Sequence, residues 1–325
     1  MASTQTSTHI FKLADGVSLT IDISKPLNAP EKGVILLHFH GGFLVIGEKA
    51  TFRPHWLINA CFARGWTYAT ASYRLMPEST GLEILSDTID AVHWIHKNIS
   101  DRILIAGSSA GGYLALATAA HPECPRPLAV LSVYGMLDPA SKRYINAGTP
   151  LQAPLADLPI ALDEIDTAVR SGKPIDGYAF PASPATDQRF RWISALHQAA
   201  KYPDLLTRTP GLAGQIFAQG AAAIPQRYRS LFPVSFELKP DFPPTILLHG
   251  DEDVLVGLDQ SVSVAERMSS LGIDVHLEIA KGQGHGFDVQ DVIDTDANDA
   301  EGEHVAIREC LRRVLTALEK AVASH

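Results

Sequence analysis

Three cysteines, Cys61, Cys124 and Cys310, are all that the chain contains in 325 residues. They are far apart and odd in number, and none has the paired spacing of a zinc or redox motif. They read as ordinary reduced thiols, with no structural metal. Positive charge is also scarce. The formal net charge is −9 and no run of Lys and Arg occurs, which argues against the phosphate neutralisation that nucleic-acid binding requires. No stretch approaches the ~20 apolar residues of a membrane span, and residues 1–9 are polar with no apolar targeting segment, so no membrane partner and a cytoplasmic location are expected. Asn98-Ile99-Ser100 matches a glycosylation pattern, but that modification needs a secretion route that nothing supports. Repeats and low-complexity tracts are missing too. With 46% hydrophobic and only 19% charged residues, the chain can bury a large core, read here as one domain with an elaboration.

What is present is an alternation of strand and helix signals. Residues 9–13 and 17–24 read as strands joined at Asp15-Gly16, a dipeptide suited to the positive φ of a tight hairpin. Residues 26–33 read as a linker. Residues 34–39 form an unbroken apolar run, which suits a strand covered on both faces of a parallel sheet. Helix signals follow at 56–64, 82–99 and 110–120, and strand signals at 66–72, 103–106 and 128–133. This order implies a parallel sheet with right-handed crossovers. Between residues 138 and 242 the rhythm gives way to Pro, Ala and scattered aromatics, a long departure of the kind usually tied to function. The expected division is a core of residues 1–137 and 241–325, with 138–240 an inserted helical lid. Strands at 245–249 and 275–280, a helix at 258–271 and a closing helix at 305–323 complete the core. The acidic stretch 288–303 is expected to be a solvated loop.

Chemistry is carried first by Gly107-Ser108-Ser109-Ala110-Gly111, a G-x-S-x-G placed where a strand ends and a small-residue helix begins. A nucleophile on that sharp turn needs small residues two positions either side, and only Ser109 has Gly at both. A serine hydroxyl needs a base, itself oriented by a carboxylate. Of the four histidines after residue 250, His276 lies in a strand, His304 opens a helix and His325 is terminal. His285, in the glycine-rich loop after the last strand, is the expected base. The acid is expected in the loop after strand 245–249, which holds Asp251, Glu252 and Asp253. Asp253 precedes an apolar triplet that would bury it, and Asp251 is the alternative. His40-Gly41-Gly42-Phe43 follows the central strand, and its paired glycines let backbone amides approach a ligand. The amides of Gly41, Gly42 and Ala110 are the expected oxyanion donors.

Taken together, His40 to Phe43, Tyr73-Arg74-Leu75-Met76-Pro77-Glu78, Gly107 to Gly112, His249 to Asp253 and His285-Gly286-Phe287 resemble the hormone-sensitive-lipase-like branch of the α/β-hydrolases, also called α/β-hydrolase fold-3. The resemblance runs from about Val34 to the last helix. It implies an α/β-hydrolase fold, with a mostly parallel eight-stranded sheet whose second strand is antiparallel, flanked by helices. It also implies no metal or organic cofactor, and hydrolysis of esters with small to medium acyl groups. Three features depart from the family pattern. Phe43 stands where many relatives have a third glycine, Ser108 replaces a commoner Asp, and the N-terminal helices that form half the lid in many members are missing. The Tyr73 to Glu78 motif reads as structural, with Glu78 bracing loops under the nucleophile.

Phe43, Leu44, Val254 and Phe287, with Tyr178 and Trp192 from the insertion, are the expected pocket residues; Phe180 and His197 are further aromatic-type side chains of the same segment. His93 and His96 lack a third partner and read as packing or surface residues rather than metal ligands. The expected partner is a small-molecule acyl substrate. Thioesters, formyl amides or a cyclising acyl transfer on a biosynthetic intermediate use the same machinery. A second class is a small-molecule receptor, which some relatives have become after losing part of the triad. A homodimer through the final strand or helix is a family property that no residue pattern here decides.

Overall fold

All five residues of β3 (Ile35–Phe39) are buried, as an unbroken apolar run demands. Its neighbours behave alike: β4 (Thr67–Ala71), β5 (Ile103–Ser108), β6 (Ala129–Val133) and β7 (Thr245–Gly250) are buried throughout. The computed structural model describes residues 4–27, 29–297 and 304–324. Residues 1–3 of the polar N-terminus, Asn28 of the expected linker, 298–303 of the expected acidic loop and His325 lie outside them. With β1 (Thr4–Ala14), β2 (Val17–Pro26) and β8 (Val275–Ala280) the strands form one eight-stranded sheet in the order β1-β2-β4-β3-β5-β6-β7-β8. β2 runs antiparallel to both neighbours, and the other pairings are parallel.

The period-two alternation of strand side chains divides the core in two. Ile35, Leu37, Phe39, Ile103 and Ile105 face α2 (Gly81–Asn98), α3 (Ala110–Ala120) and α10 (Asp259–Ser270). Leu36, Leu104 and Ala106 face α1 (His55–Ala63) and α11 (Val305–Ala323). Thr80 and Glu83 form a capping box that fixes the start of α2. The first hairpin is longer than residues 9–13 and 17–24, because pairing extends outward to Thr4 opposite Pro26. Its turn is the expected one, with Asp15 at φ 48° and Gly16 at φ 89°.

Between β6 and β7 lie α4 (Lys142–Ile145), α5 (Leu158–Ser171), α6 (Gln188–Gln198), α7 (Tyr202–Thr207), α8 (Leu212–Gln219) and α9 (Pro233–Phe236), joined by turns of 3₁₀ helix. Several hydrogen bonds hold this segment to the core, two sets of them beside the loop after β3. Gly47 and Tyr178 exchange backbone hydrogen bonds at 2.7 and 2.9 Å. Buried Arg189 of α6 donates to the carbonyls of Val45 (2.8 Å) and Met76 (3.0 Å) and to the Glu78 carboxylate. Register then sets the site. Phe39 pairs with Gly107, Ser108 with Val133, and Gly250 with Ala280. The loops leaving β3, β5, β6, β7 and β8 therefore emerge together at the carboxyl edge of the sheet, where α/β folds bind ligands.

Candidate active site

Ser109 sits between the end of β5 and the start of α3 at φ 56°, ψ −119°. A non-glycine residue there is strained, and its surroundings must hold it. Ser109 N–H donates to the Val133 carbonyl at 2.8 Å, and its own carbonyl accepts from Gly112 (2.9 Å) and Met136 (3.2 Å). The flanking glycines have a steric cause. A Cβ on Gly107 would stand 2.0 Å from the Gly111 carbonyl oxygen, and one on Gly111 2.0 Å from that of Phe39. Neither distance is physically available, so the turn closes only with hydrogen at both positions.

His285 lies in the loop after β8, and its Nδ1–H donates to Asp253 Oδ2 at 2.6 Å. Asp253 is buried, and its Oδ1 accepts the amides of Leu255 and Val256, both at 2.9 Å. Burial alone would raise its pKa. Hydrogen bonds from His249 and His285, the latter's charge and the Val256 amide outweigh burial, and the carboxyl is held well below the ordinary aspartate range. His249 is itself fixed by Ser261 Oγ at 2.7 Å and the Val256 carbonyl at 2.8 Å. Asp251 turns away: it accepts the Gly282 amide at 2.6 Å and pairs with exposed Lys281 at 3.1 Å. Within the acid loop, then, the carboxylate against the imidazole is that of Asp253.

After β3 the chain makes a tight turn in which Gly42 O accepts the amides of Val45 and Ile46, both at 3.0 Å. Gly42 has φ +114°, and a Cβ there would meet the Ile46 carbonyl oxygen at 2.1 Å. A Cβ on Gly41 would press on Ser108 O and Ser109 Cβ at 3.0 Å, so this turn lies against the elbow. Phe43 follows at φ 56°, the left-handed region that favours glycine. Ala110, the first residue of α3, carries one of the helix-terminal N–H groups that lack an intrahelical acceptor. His40 stacks on Tyr73 at 4.3 Å, and burial lowers its pKa to about 4.

A cavity of about 650 Å³ opens over these groups, lined by Gly41, Gly42, Ser109, His285, Phe43, Phe52, Phe180, Phe190 and Leu255, among others. Among the described residues no Lys, Arg, Asp or Glu lines it. Of the six expected pocket residues, Phe43 is on the wall, its ring backed edge-on by His197 at 4.9 Å. The other five are placed elsewhere. Val254 is 73% exposed, because the turn that buries Asp253 points the next side chain outward and delivers Leu255 to the cavity. Leu44 and Phe287 are buried in the core on opposite faces of the sheet. Tyr178 donates its hydroxyl to Asp187 at 2.6 Å, and the Trp192 indole N–H donates to Glu164 at 2.9 Å, so both serve the insertion itself. Phe52 and Phe180 meet at 4.7 Å on the cavity rim, 51% and 40% exposed. Phe52 was not legible, since nothing in a loop aromatic's sequence neighbourhood reports which way it faces.

The expectation of a solvated loop from residue 288 is corrected as well. Asp288, assigned to a solvated acidic loop, is fully buried. Its Oδ1 accepts the Tyr134 hydroxyl at 2.5 Å and its Oδ2 the Trp56 indole N–H at 2.8 Å. The carboxylate was grouped with its acidic neighbours by composition, whereas its position three residues after His285 carries it under the site.

The sheet order, the elbow and the loop placement define an α/β-hydrolase fold. A family model described as alpha/beta hydrolase fold matches residues 36–160. The Est2 esterase of Thermogutta terrifontis superposes with a TM-score of 0.59 at 19% identity, covering 97% of this chain and 91% of that one. An esterase from the bacterial hormone-sensitive lipase family gives 0.61 at 19% identity, covering 98% and 85%. The α/β-hydrolase fold that the motifs imply is thus met by the match over residues 36–160 and by the fold of these neighbours. Curated relatives of another kind also match. The chain is 24% identical to the non-reducing polyketide synthase pkbA of Emericella nidulans over 86% of its own length and 13% of that protein's. For the non-reducing polyketide synthase ausA of Aspergillus calidoustus the figures are 26%, 90% and 13%. The chain therefore spans about 13% of the length of the curated relatives it matches. Among the described residues no helix is long and apolar enough to cross a membrane.

Proposed function

We propose that this chain is a serine hydrolase that cleaves a carboxylic ester of a small to medium apolar acyl group through an acyl-enzyme on Ser109. The observation that carries the reading is the 2.6 Å Asp253–His285 pair, with His285 and Ser109 both on the wall of one apolar cavity. His285 Nε2 takes the Ser109 proton as Oγ attacks the carbonyl carbon, and Asp253 stabilises the imidazolium that forms. The amides of Gly41, Gly42 and Ala110 receive the charge on the former carbonyl oxygen. Collapse expels the alcohol, which takes its proton from His285. Water, activated by the same imidazole, then releases the acid and restores Ser109.

The likeness to polyketide synthases favours a second reading, in which the acyl group arrives as a thioester and leaves to water or to a hydroxyl of the same molecule. The chemistry at Ser109 is unchanged, and only the leaving group and the acceptor differ. Turnover of p-nitrophenyl esters of increasing acyl length, beside N-acetylcysteamine thioesters of the same acids, separates the two. Ester turnover with an optimum at short to medium chains is expected. Turnover of thioesters alone overturns the ester reading in favour of the second, and turnover of neither overturns both.

A further inference from the structure

Two buried carboxylates approach the base loop, and the proposed mechanism uses only one. Asp288 has no exposed surface, and among the described residues no ion pair neutralises it. A lone buried carboxyl is expensive to keep, and burial pushes its pKa above the ordinary aspartate range, against the pull of its hydrogen bonds from Tyr134 and Trp56. Tyr134, one of its two side-chain donors, is the first residue after β6 and is held at φ 41°, a conformation that a bulky residue adopts only when its surroundings impose it. Its N–H donates to Leu248 O at 2.6 Å. Its ring lies 4.5 Å from the His285 ring, tilted by 53°, and lines the cavity.

A second buried pair lies beside the nucleophile. His38 Nε2 stands 3.1 Å from the hydroxyl oxygen of Ser108, the residue before the nucleophile. Burial, with the neighbouring His40, lowers the His38 pKa to about 3, so its imidazole is neutral and one ring nitrogen carries the proton. Tyr134 for its part donates to Asp288, whose other oxygen the Trp56 indole N–H closes from the far side. A residue three beyond the base is thereby joined to the side chain on which the base rests.

We propose that Asp288 and Tyr134 are positioning residues for His285, a second buried anchor that sets the imidazole against Ser109. The inference rests on the Ser109–His285 reading above. Its test is the second-order rate at which a fluorophosphonate labels Ser109 in wild type, Tyr134→Phe, Asp288→Asn and the double variant, followed from pH 5 to 9, beside each protein's thermal unfolding transition. Tyr134→Phe keeps the ring and removes only the link. Labelling is expected to slow by about 10- to 100-fold in each single variant, the order that a misplaced reacting group costs. The double variant is expected to be no slower than the worse single one, because both act through one connection.

A role in stability alone predicts lowered unfolding temperatures with labelling at the wild-type rate and pH profile, and that result overturns the inference while leaving the serine hydrolase standing. Single effects that multiply in the double variant also overturn it, as independent actions. Failure of wild type to label removes the underlying reading, and the inference with it. If Asp288→Asn does not fold, Tyr134→Phe decides alone.

Discussion

Two opposing effects meet at Asp253. Burial favours its neutral form, while His249, His285 and the Val256 amide favour the carboxylate, and the carboxylate prevails. A folded-state pKa below the unfolded one stabilises the fold at every pH above the ordinary aspartate value, about 3.9, and that contribution disappears as pH falls through the lowered value. Below about pH 4 the melting temperature of wild type is therefore expected to fall more steeply than that of Asp253→Asn. Parallel curves in a pH series from 6 to 2 would contradict this. Asp288 has the opposite sign, and comparing two proteins that both retain it cancels its contribution. The same substitution is expected to lower kcat by about 10⁴, the cost of a mis-set imidazole in serine proteases. Ser109, Asp253 and His285 could be singled out in the sequence because strained turns and chain order constrain them. Asp288 and Tyr134 were not, since neither the tertiary path of a loop nor the face of a residue just past a strand is written in local spacing.

At the scale of the element, the elbow depends on two hydrogens. With 2.0 Å between a Gly111 Cβ and Phe39 O, backbone on backbone, α3 can accept Gly111→Ala only by moving off the sheet. The expected cost is about 3 kcal/mol or more, read from urea unfolding; a loss under about 1 kcal/mol would show the contact to be soft. The insertion's aromatic rim makes the opposite kind of prediction. Phe180 is 40% exposed, so Phe180→Ala should barely change stability. Losing its edge contact with Phe52 and its share of the wall should raise KM for longer acyl esters by roughly threefold to tenfold, leaving short ones alone. Equal changes for short and long esters would place the rim outside substrate binding. Helices and strands of the core were readable from periodicity. The insertion's helices were foreseen only as a class, because short helices that pack against a neighbouring segment need not carry a clean apolar stripe.

For the molecule as a whole, the question is what joins the insertion to the sheet. Arg189 reaches across to Val45, Met76 and Glu78, with almost no exposed surface at either end of the ion pair. Removing one partner of a buried pair leaves the other uncompensated, so Arg189→Met is expected to cost about 3–5 kcal/mol and to unfold insertion and core in one transition. A separate early transition for the insertion would mean that it is held elsewhere. Glu78 was read from the sequence as a brace. Its partner lies 111 residues away, a distance no local pattern spans.

The central claim is that Ser109 is acylated and His285 drives both halves of the reaction. Rapid quenching of wild type during turnover of a slow p-nitrophenyl ester, followed by digestion and mass spectrometry, reads this directly. The expected result is an acyl mass on the peptide containing Ser109 and on no other, absent in Ser109→Ala, whose kcat falls by about 10⁶ as for removal of a protease nucleophile. An acyl adduct elsewhere, or Ser109→Ala turning over at the wild-type rate, would contradict it.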